Sequence, residues 1–329
     1  MAQALGVTER TVRNWVVKPL CNTGRRPRSK WERFVGLVRV YRAYLEQGAG
    51  RTGWRVVRRV LDERVSTRTI QESLRLLKEA RRRRQRRYVL RNRLSVRVLA
   101  KDAVWTLDGT HVGRVEGEAV EAQVMSDRAT LKTRGLSVGP PATSDDVLVL
   151  LRTSKREHGT LPLVLQTDGA SVYQEGRVQE YLARERVVPL VSRPHMPTDN
   201  ASAESGIGTI KESARLGKGV KLGSTFEAAC RLAESALTID SRRLRASRGY
   251  MCANELARST LAWYTSVSRE SFYRDATRAV HNAVQGTKTV RERRTKERCA
   301  VLTTLVRYGL VSLTRGGRPT DVPYVENIS

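Results

Sequence analysis

The sequence predicts an α/β chain, with a mixed-sheet core over residues 101–222, all-α modules before it and a mostly helical, basic region over 223–329. Three observations carry that prediction. From residue 103 to 191, β-rich runs and amphipathic stretches follow one another as three strands, helix, strand, helix, strand. The run Leu161-Pro162-Leu163-Val164-Leu165-Gln166-Thr167 has the near-continuous apolar content of a strand buried on both faces. Before that window, apolar residues recur at helical spacing and the polar positions are crowded with arginine.

Composition bounds the partners. The chain has 329 residues, enough for two or three domains. Its 61 Lys and Arg against 33 Asp and Glu give a net charge of +28 and a pI near 11.0. Such an excess draws a chain to polyanions, nucleic acid before a general solubility bias or ribosome association. No signal peptide, lipid anchor or apolar run of about 20 residues is present, so a cytoplasmic, nucleoid-associated protein is expected. Cys21, Cys230, Cys252 and Cys299 form no C-x-x-C pair, which argues against a zinc ribbon and against a disulfide framework.

In chain order, residues 1–18 read as a partial helix-turn-helix, or as a short surface hairpin of helices. Gly6 supplies the turn, Thr8 the cap, and Val12 with Trp15 or Val16 the buried face, leaving Arg10, Arg13 and Asn14 outward toward DNA. No first helix precedes it, so the true start lies upstream or the unit is vestigial. Residues 19–30 are a basic linker with Gly24-Arg25-Arg26-Pro27. Residues 31–80 give three amphipathic helices: about 30–47 with Phe34, Leu37, Val38, Tyr41 and Leu45 on one face, about 52–63 with Trp54, Val57 and Leu61, and about 67–80 capped by Ser66. They fit a helix-turn-helix domain with Arg68 on its DNA face, or a plain three-helix dimerisation domain. Residues 81–100 form an Arg-rich linker. Eight arginines and no acid lie in 81–93, and Arg81, Arg82, Arg83, Arg84, Arg86 and Arg87 are candidate phosphate contacts.

In the core, 103–108 is a strand and 117–126 pairs with about 129–138. A helix over 143–157 is capped by Ser144, with Val147, Leu148 and Leu151 inward. Strand 161–167, helix 174–185 and strand 187–191 follow, then a helix from after Pro197 to about Arg215, with Asn200 or Asp199 as its cap. Beyond it, Ser224 and Glu227 start a helix to about Thr238, another runs 252–265, and 290–308 is a basic helix before a wing or hairpin at 309–318.

Three carboxylates mark the core. Asp108 closes the first strand, Asp168 closes the 161–167 strand, and Glu204 lies on the last helix with thirty-five residues between it and Asp168. Their contexts are specific: Thr167-Asp168-Gly169 with Tyr173, Ser192-Arg193-Pro194-His195-Met196-Pro197, Asn200-Ala201-Ser202-Ala203-Glu204, and Lys211 seven residues on. Over roughly residues 100–215 the chain resembles the DDE transposase and retroviral-type integrase superfamily, whose core has a ribonuclease H-like fold. No His-His-Cys-Cys module is present, which favours the bacterial insertion-sequence branch. The 53–70 segment is similar to the module that precedes the core in many of those transposases.

The resemblance implies that Asp108, Asp168 and Glu204 are catalytic and hold two Mg²⁺ or Mn²⁺ ions. Lys211 would hold a phosphate near the element end. Oxygen ligands on rigid elements suit Mg²⁺, and two such ions can activate the attacking oxygen and stabilise the leaving one in phosphoryl transfer. The expected function is a transposase or integrase acting on element and target DNA as a homo-oligomer, with a possible accessory protein. The rival readings are a nuclease that only hydrolyses and a domesticated DNA-binding protein. Asp102, Asp127, Asp145, Asp146 and Asp199 are expected to be decoys, and His195 to pack its loop. Glu204, so close to Gly206 and Gly208, is expected on a mobile helix, and crowding should raise the pKa of one carboxylate or turn Glu204 away.

Overall fold

The computed structural model describes residues 8–10, 12–13, 30–46, 53–61, 65–92, 94–194, 196 and 199–320. Asn14, Trp15, Val16, most of the 19–30 linker, His195 and Pro197 lie outside the described residues, as do the side chains of Arg87, Arg91 and Arg93. Two compact units are present, Met1–Arg93 and Leu94–Ser329.

In the first unit, residues 9, 10, 12 and 13 are helical and Val12 is buried. Helix α1 spans Lys30–Glu46, α2 Trp54–Val60 and α3 Thr67–Asn92. Their core holds Val40, Tyr44, Val57, Ile70, Leu74 and Leu77. The buried stripe of α1 is rotated from the predicted one: Leu37, Val40 and Tyr44 face inward, at the 3- and 4-residue steps of one helical face, while Leu45 is 50 % exposed. Ser66 caps α3, its Oγ accepting from the Thr69 amide at 3.3 Å. That helix runs past residue 80 to Asn92, because the arginine run holds no Gly, Pro or β-branched residue before Val89 and arginine is a good helix former. At 26 residues it is about 39 Å long.

In the second unit, strands β1 (Leu94–Val98), β2 (Val104–Val115), β3 (Glu118–Asp127), β4 (Thr133–Gly139), β5 (Val164–Thr167) and β6 (Val188–Val191) precede β7 (Val311–Arg315) and β8 (Arg318–Pro319). The main sheet has the order β4-β3-β2-β5-β6. The first three strands are antiparallel, and β5 and β6 run parallel to β2. This is the mixed five-stranded sheet of a ribonuclease H-like core.

Alternation along the strands sorts the side chains onto two faces. Trp105, Leu107, Met125 and Leu165 pack under α4 (Ser144–His158), α5 (Ser171–Gln174) and α6 (Gly176–Arg184). On the other face, Ala122 and Val124 meet Ile207 and Ile210 of α7 (Ala201–Ala214) and Leu232 of α8 (Thr225–Arg242). Helix α4 is capped by Thr143, not Ser144: the Thr143 Oγ1 accepts from the Asp146 amide and Asp146 accepts back from the Thr143 amide, leaving Ser144 buried in the first turn.

Over β5 and β6 this second face is covered by residues from the far end of the chain. After α9 (Ala253–Ser259) come α10 (Arg269–Val284) and α11 (Val290–Arg307). Phe272, Ala276, Val301 and Leu305 of α10 and α11 share one core with Val164, Val188 and Leu190 of the sheet. Residues 309–318 include the hairpin β7–β8, and β7 pairs antiparallel with β1, a strand formed inside the stretch read as a linker. Arg269 fastens this end: its guanidinium donates to the carbonyls of Leu161 and Pro162 and stacks over the Trp263 ring at 4.7 Å.

Candidate active site

The register of two parallel strands sets the site. β2 and β5 pair Trp105 with Leu165, Thr106 with Gln166 and Leu107 with Thr167. The next residue on each strand is an aspartate, so Asp108 and Asp168 leave the ladder side by side, where neighbouring strands lie about 4.8 Å apart. Asp168 is oriented by the turn that follows, its Oδ1 accepting from the Ala170 amide at 2.9 Å. Asp108 is half-buried. Burial and the charge of Asp168 push its pKa up to about 6 against the pull of the Gly109 amide, and Glu204 adds a smaller push. Asp108 therefore holds its proton more tightly than a free carboxyl, with burial rather than the expected crowding as the larger cause.

Behind Asp108, Gly109 leaves room for a buried pair. The Tyr173 hydroxyl donates to Gln123 Oε1, and a Cβ at position 109 would lie 2.8 Å from Gln123 Nε2 and 3.3 Å from the Tyr173 hydroxyl. Gly109→Ala is expected to destabilise the protein by about 1–3 kcal/mol through overpacking and to displace Asp108. Thermal melting and the pH titration of Asp108 check this; an unchanged Tm contradicts it.

Glu204 sits on the first turn of α7 and is exposed. The start of that helix is pinned by Asp199, which is more than a decoy. Arg193 grips both Asp199 oxygens, with Nε and Nη2 each at 2.8 Å, and the Arg298 Nε lies 3.7 Å away. Burial pushes the Asp199 pKa up, but the Arg193 hydrogen bonds and the Arg298 charge outweigh it and hold it below the usual carboxylate range. The Asp199 carbonyl accepts from Gln166 Nε2 at 2.6 Å. Neither expected cap is made: Asn200 occupies the cap position without a side-chain capping bond and donates instead to Asp108 Oδ2 at 3.1 Å. Its own Oδ1 is buried and has no partner among the described residues.

Asp108, Asp168, Glu204, Asn200, Arg193 and Arg294 line one open cavity of about 510 Å³. Its donors are mainly carboxylate and amide oxygens, the hard ligands that Mg²⁺ or Mn²⁺ takes, and the mutual repulsion of its carboxylates is what a cation would relieve. Among the described residues no three His, Cys, Asp or Glu side chains already close around a metal position. The chemistry of the set fits a divalent ion without forming a finished cage.

Lys211 stands two turns beyond Glu204 and donates to Thr110 Oγ1 on β2 at 2.9 Å. Burial and the nearby Lys218 lower its pKa. A Cβ built at Gly206 or Gly208 on the same helix meets nothing within 4 Å. In the first unit, Arg10, Arg13, Arg68, Arg81, Arg82, Arg83, Arg84 and Arg86 are exposed, the last six along α3, and Arg83 pairs with Glu79.

The four other aspartates expected to be decoys have structural partners: Asp102 with Arg134 at 2.7 Å, Asp127 with Thr130 at 2.6 Å, Asp145 with Arg177, and Asp146 in its cap. Sequence reasoning gave no site role to Asn200, Arg193, Gln174 or Arg294. Asn200 and Arg193 lie inside motifs already singled out, whereas Arg294 is one of five arginines on α11 with nothing local to distinguish it.

In structure the chain is similar to retroviral integrase catalytic cores. The HTLV-2 integrase catalytic core domain in complex with magnesium aligns at 14 % identity over 49 % of this chain and 99 % of that one, with a TM-score of 0.39. The BIV integrase catalytic core aligns at 13 % identity over 48 % and 94 %, with a TM-score of 0.37. A simian T-cell lymphotropic virus intasome in complex with PP2A regulatory subunit B56 gamma aligns at 15 % identity over 67 % and 74 %, with a TM-score of 0.43. No family model and no curated protein matches the chain. No residue role is carried over from these likenesses. Among the described residues no helix is long and apolar enough to cross a membrane.

Proposed function

We propose that this chain is a metal-dependent polynucleotidyl transferase of the DDE transposase and integrase type, which cuts DNA and joins the freed 3′ end to target DNA. The observation that carries the reading is that Asp108 and Asp168 stand side by side just past the last paired residues of two parallel strands, with Glu204 lining the same cavity. Asp108, Asp168 and Glu204 would hold Mg²⁺ or Mn²⁺, which when bound supplies charge stabilisation to the attacking and leaving oxygens. Asn200 keeps the Asp108 carboxylate turned to the cavity, and the Arg193–Asp199 clamp fixes where Glu204 enters. Lys211 holds a flanking phosphate. The N-terminal helices (31–80, with the 1–18 segment) read DNA, the arginines of 81–87 contact phosphates, and the protein works as an oligomer on two DNA ends.

The test is cleavage and joining by the full chain on DNA flanking its gene, with Mg²⁺ or Mn²⁺. Asp108→Asn, Asp168→Asn and Glu204→Gln are each expected to lose more than the roughly 10–100-fold that outer-shell changes cause, with DNA binding kept. Joined products distinguish a transferase from a nuclease that only hydrolyses. Full strand transfer by any one variant would remove that residue from the site.

Affinity is expected to rest on phosphates. Replacing Arg81, Arg82, Arg83, Arg84, Arg86 and Arg87 with glutamine should reduce the slope of log K against log salt by up to about 5, with sequence preference unchanged. A changed preference at constant slope would mean that this helix reads bases.

A further inference from the structure

The far end of the chain, which no sequence motif connects to the carboxylates, supplies part of the cavity wall. Val290 and Arg294, from the first two turns of α11, line it together with Asp108, Asp168 and Glu204. The Arg294 side chain is 23 % exposed and held from two sides. Its Nη1 donates to Glu297 Oε2 at 2.9 Å, one turn along the same helix. Its Nη2 donates to Gln174 Oε1 at 2.5 Å. Gln174 in turn donates through Nε2 to the Gly169 carbonyl at 2.8 Å, on the residue that follows Asp168. The guanidinium is thereby indexed to the loop of the second carboxylate.

A guanidinium has five N–H donors, and these two contacts use two of them. Glu297 also accepts from Arg293 at 2.9 Å, so its negative charge is shared between two arginines and does not neutralise Arg294 alone. The second arginine of the cavity, Arg193, is gripped through both oxygens of Asp199. Three carboxylates line this space, so an entering phosphodiester meets repulsion unless fixed positive charge is close by. A planar fork held in place suits two oxygens of one phosphate better than a flexible ammonium does.

We infer that Arg294 is a phosphate-binding residue of the active-site cavity, gripping the DNA strand on which the carboxylates act, with Gln174 and Glu297 as its positioning residues. The inference rests on the function proposed above. It makes the C-terminal helix a wall of the active site as well as a cover for the sheet.

The experiment uses the full chain, comparing Arg294→Gln, Arg294→Lys and Glu297→Gln with wild type. Binding of a short duplex is measured in Ca²⁺ over a salt series, and cleavage in Mg²⁺. Arg294→Gln is expected to reduce the salt slope by about 0.9, the share of one phosphate. It should slow cleavage by about 10–100-fold, as when a hydrogen bond to a charged group is lost. Arg294→Lys should keep the slope, because the charge stays, and lose rate, because the fork is gone. Glu297→Gln should raise KM with the slope unchanged. A merely packing role would lower Tm and leave the slope as it is. Should Arg294→Gln fail to fold, Arg294→Lys carries the test: cleavage at the wild-type rate overturns the inference. Wild-type slope and rate in a folded Arg294→Gln protein overturn it as well, whereas a wild-type chain that neither binds nor cleaves DNA defeats the proposed function itself.

Discussion

Asp199→Ala is expected to cost the second unit about 3–5 kcal/mol, the loss typical of breaking a buried ion pair by removing one partner. Asp199 is 5 % exposed and serves two arginines, and Arg298 is itself buried. Removing the carboxylate leaves the Arg298 guanidinium, whose Nη1 already has no partner among the described residues, as an uncompensated charge beneath the site. The direction with pH follows from the lowered pKa. A carboxyl that holds its proton less tightly when folded stabilises the protein above its ordinary value of 3.8, and that stability is lost as pH falls through the lowered value. Wild type should therefore weaken below about pH 4 through this group, and Asp199→Ala should lack that part of the acid limb. Urea unfolding read by hydrogen exchange within Leu94–Ser329 measures both; a loss under about 1 kcal/mol would mean that the clamp does not hold the helix.

Asp108→Asn is expected to do the opposite to stability while ending the chemistry. The native Asp108 has a pKa of about 6 against an ordinary 3.8, so the folded state binds more protons than the unfolded one between those values. Stability thus falls as pH rises through that window, and the deficit is complete above about pH 6. With solvent screening of a half-buried group discounted, it amounts to about 1–2 kcal/mol at pH 7. Asparagine removes the charge and can still accept the Asn200 hydrogen bond. The ion-free variant should therefore melt a few degrees above wild type at pH 7, by roughly 2–4 °C per kcal/mol for a unit of this size. Its stability should be flat where wild type declines. A lower Tm for Asp108→Asn at pH 7 contradicts the cost of holding a buried charge beside Asp168 at this position.

The core elements are legible in the sequence because each strand carries its own local signal. The apolar run at 161–167 reads as doubly covered, and α4–α6 cover one face of β5 while α10 and α11 cover the other. The place of Asp168 at a strand end is legible for the same reason, whereas β2 does not close at Asp108 but runs on to Val115, because residues 108–115 keep pairing with β3 after the ladder with β5 has ended. What covers the second face is not, since α10 and α11 look like any basic amphipathic helices until Phe272 and Leu305 are seen against Val164 and Val188. Long-range pairing is equally silent: nothing in Leu94–Val98 announces a partner more than two hundred residues away in β7. Misread caps have another cause. Asn200 and Ser144 carry capping side chains, but Asp108 claims the first and Thr143 makes the bond expected of the second. Local propensity describes what a side chain can do, and the tertiary neighbour decides which of those things it does.

The most direct measurement of whether Asp108, Asp168 and Glu204 form one ion-binding site is Mn²⁺ binding by the full chain, followed by electron paramagnetic resonance with and without a short DNA duplex. Wild type is expected to take up Mn²⁺ saturably and more tightly with DNA present. Asp108→Asn, Asp168→Asn and Glu204→Gln should each weaken that uptake by at least about tenfold. Uptake by all three variants equal to that of wild type would contradict a shared metal site.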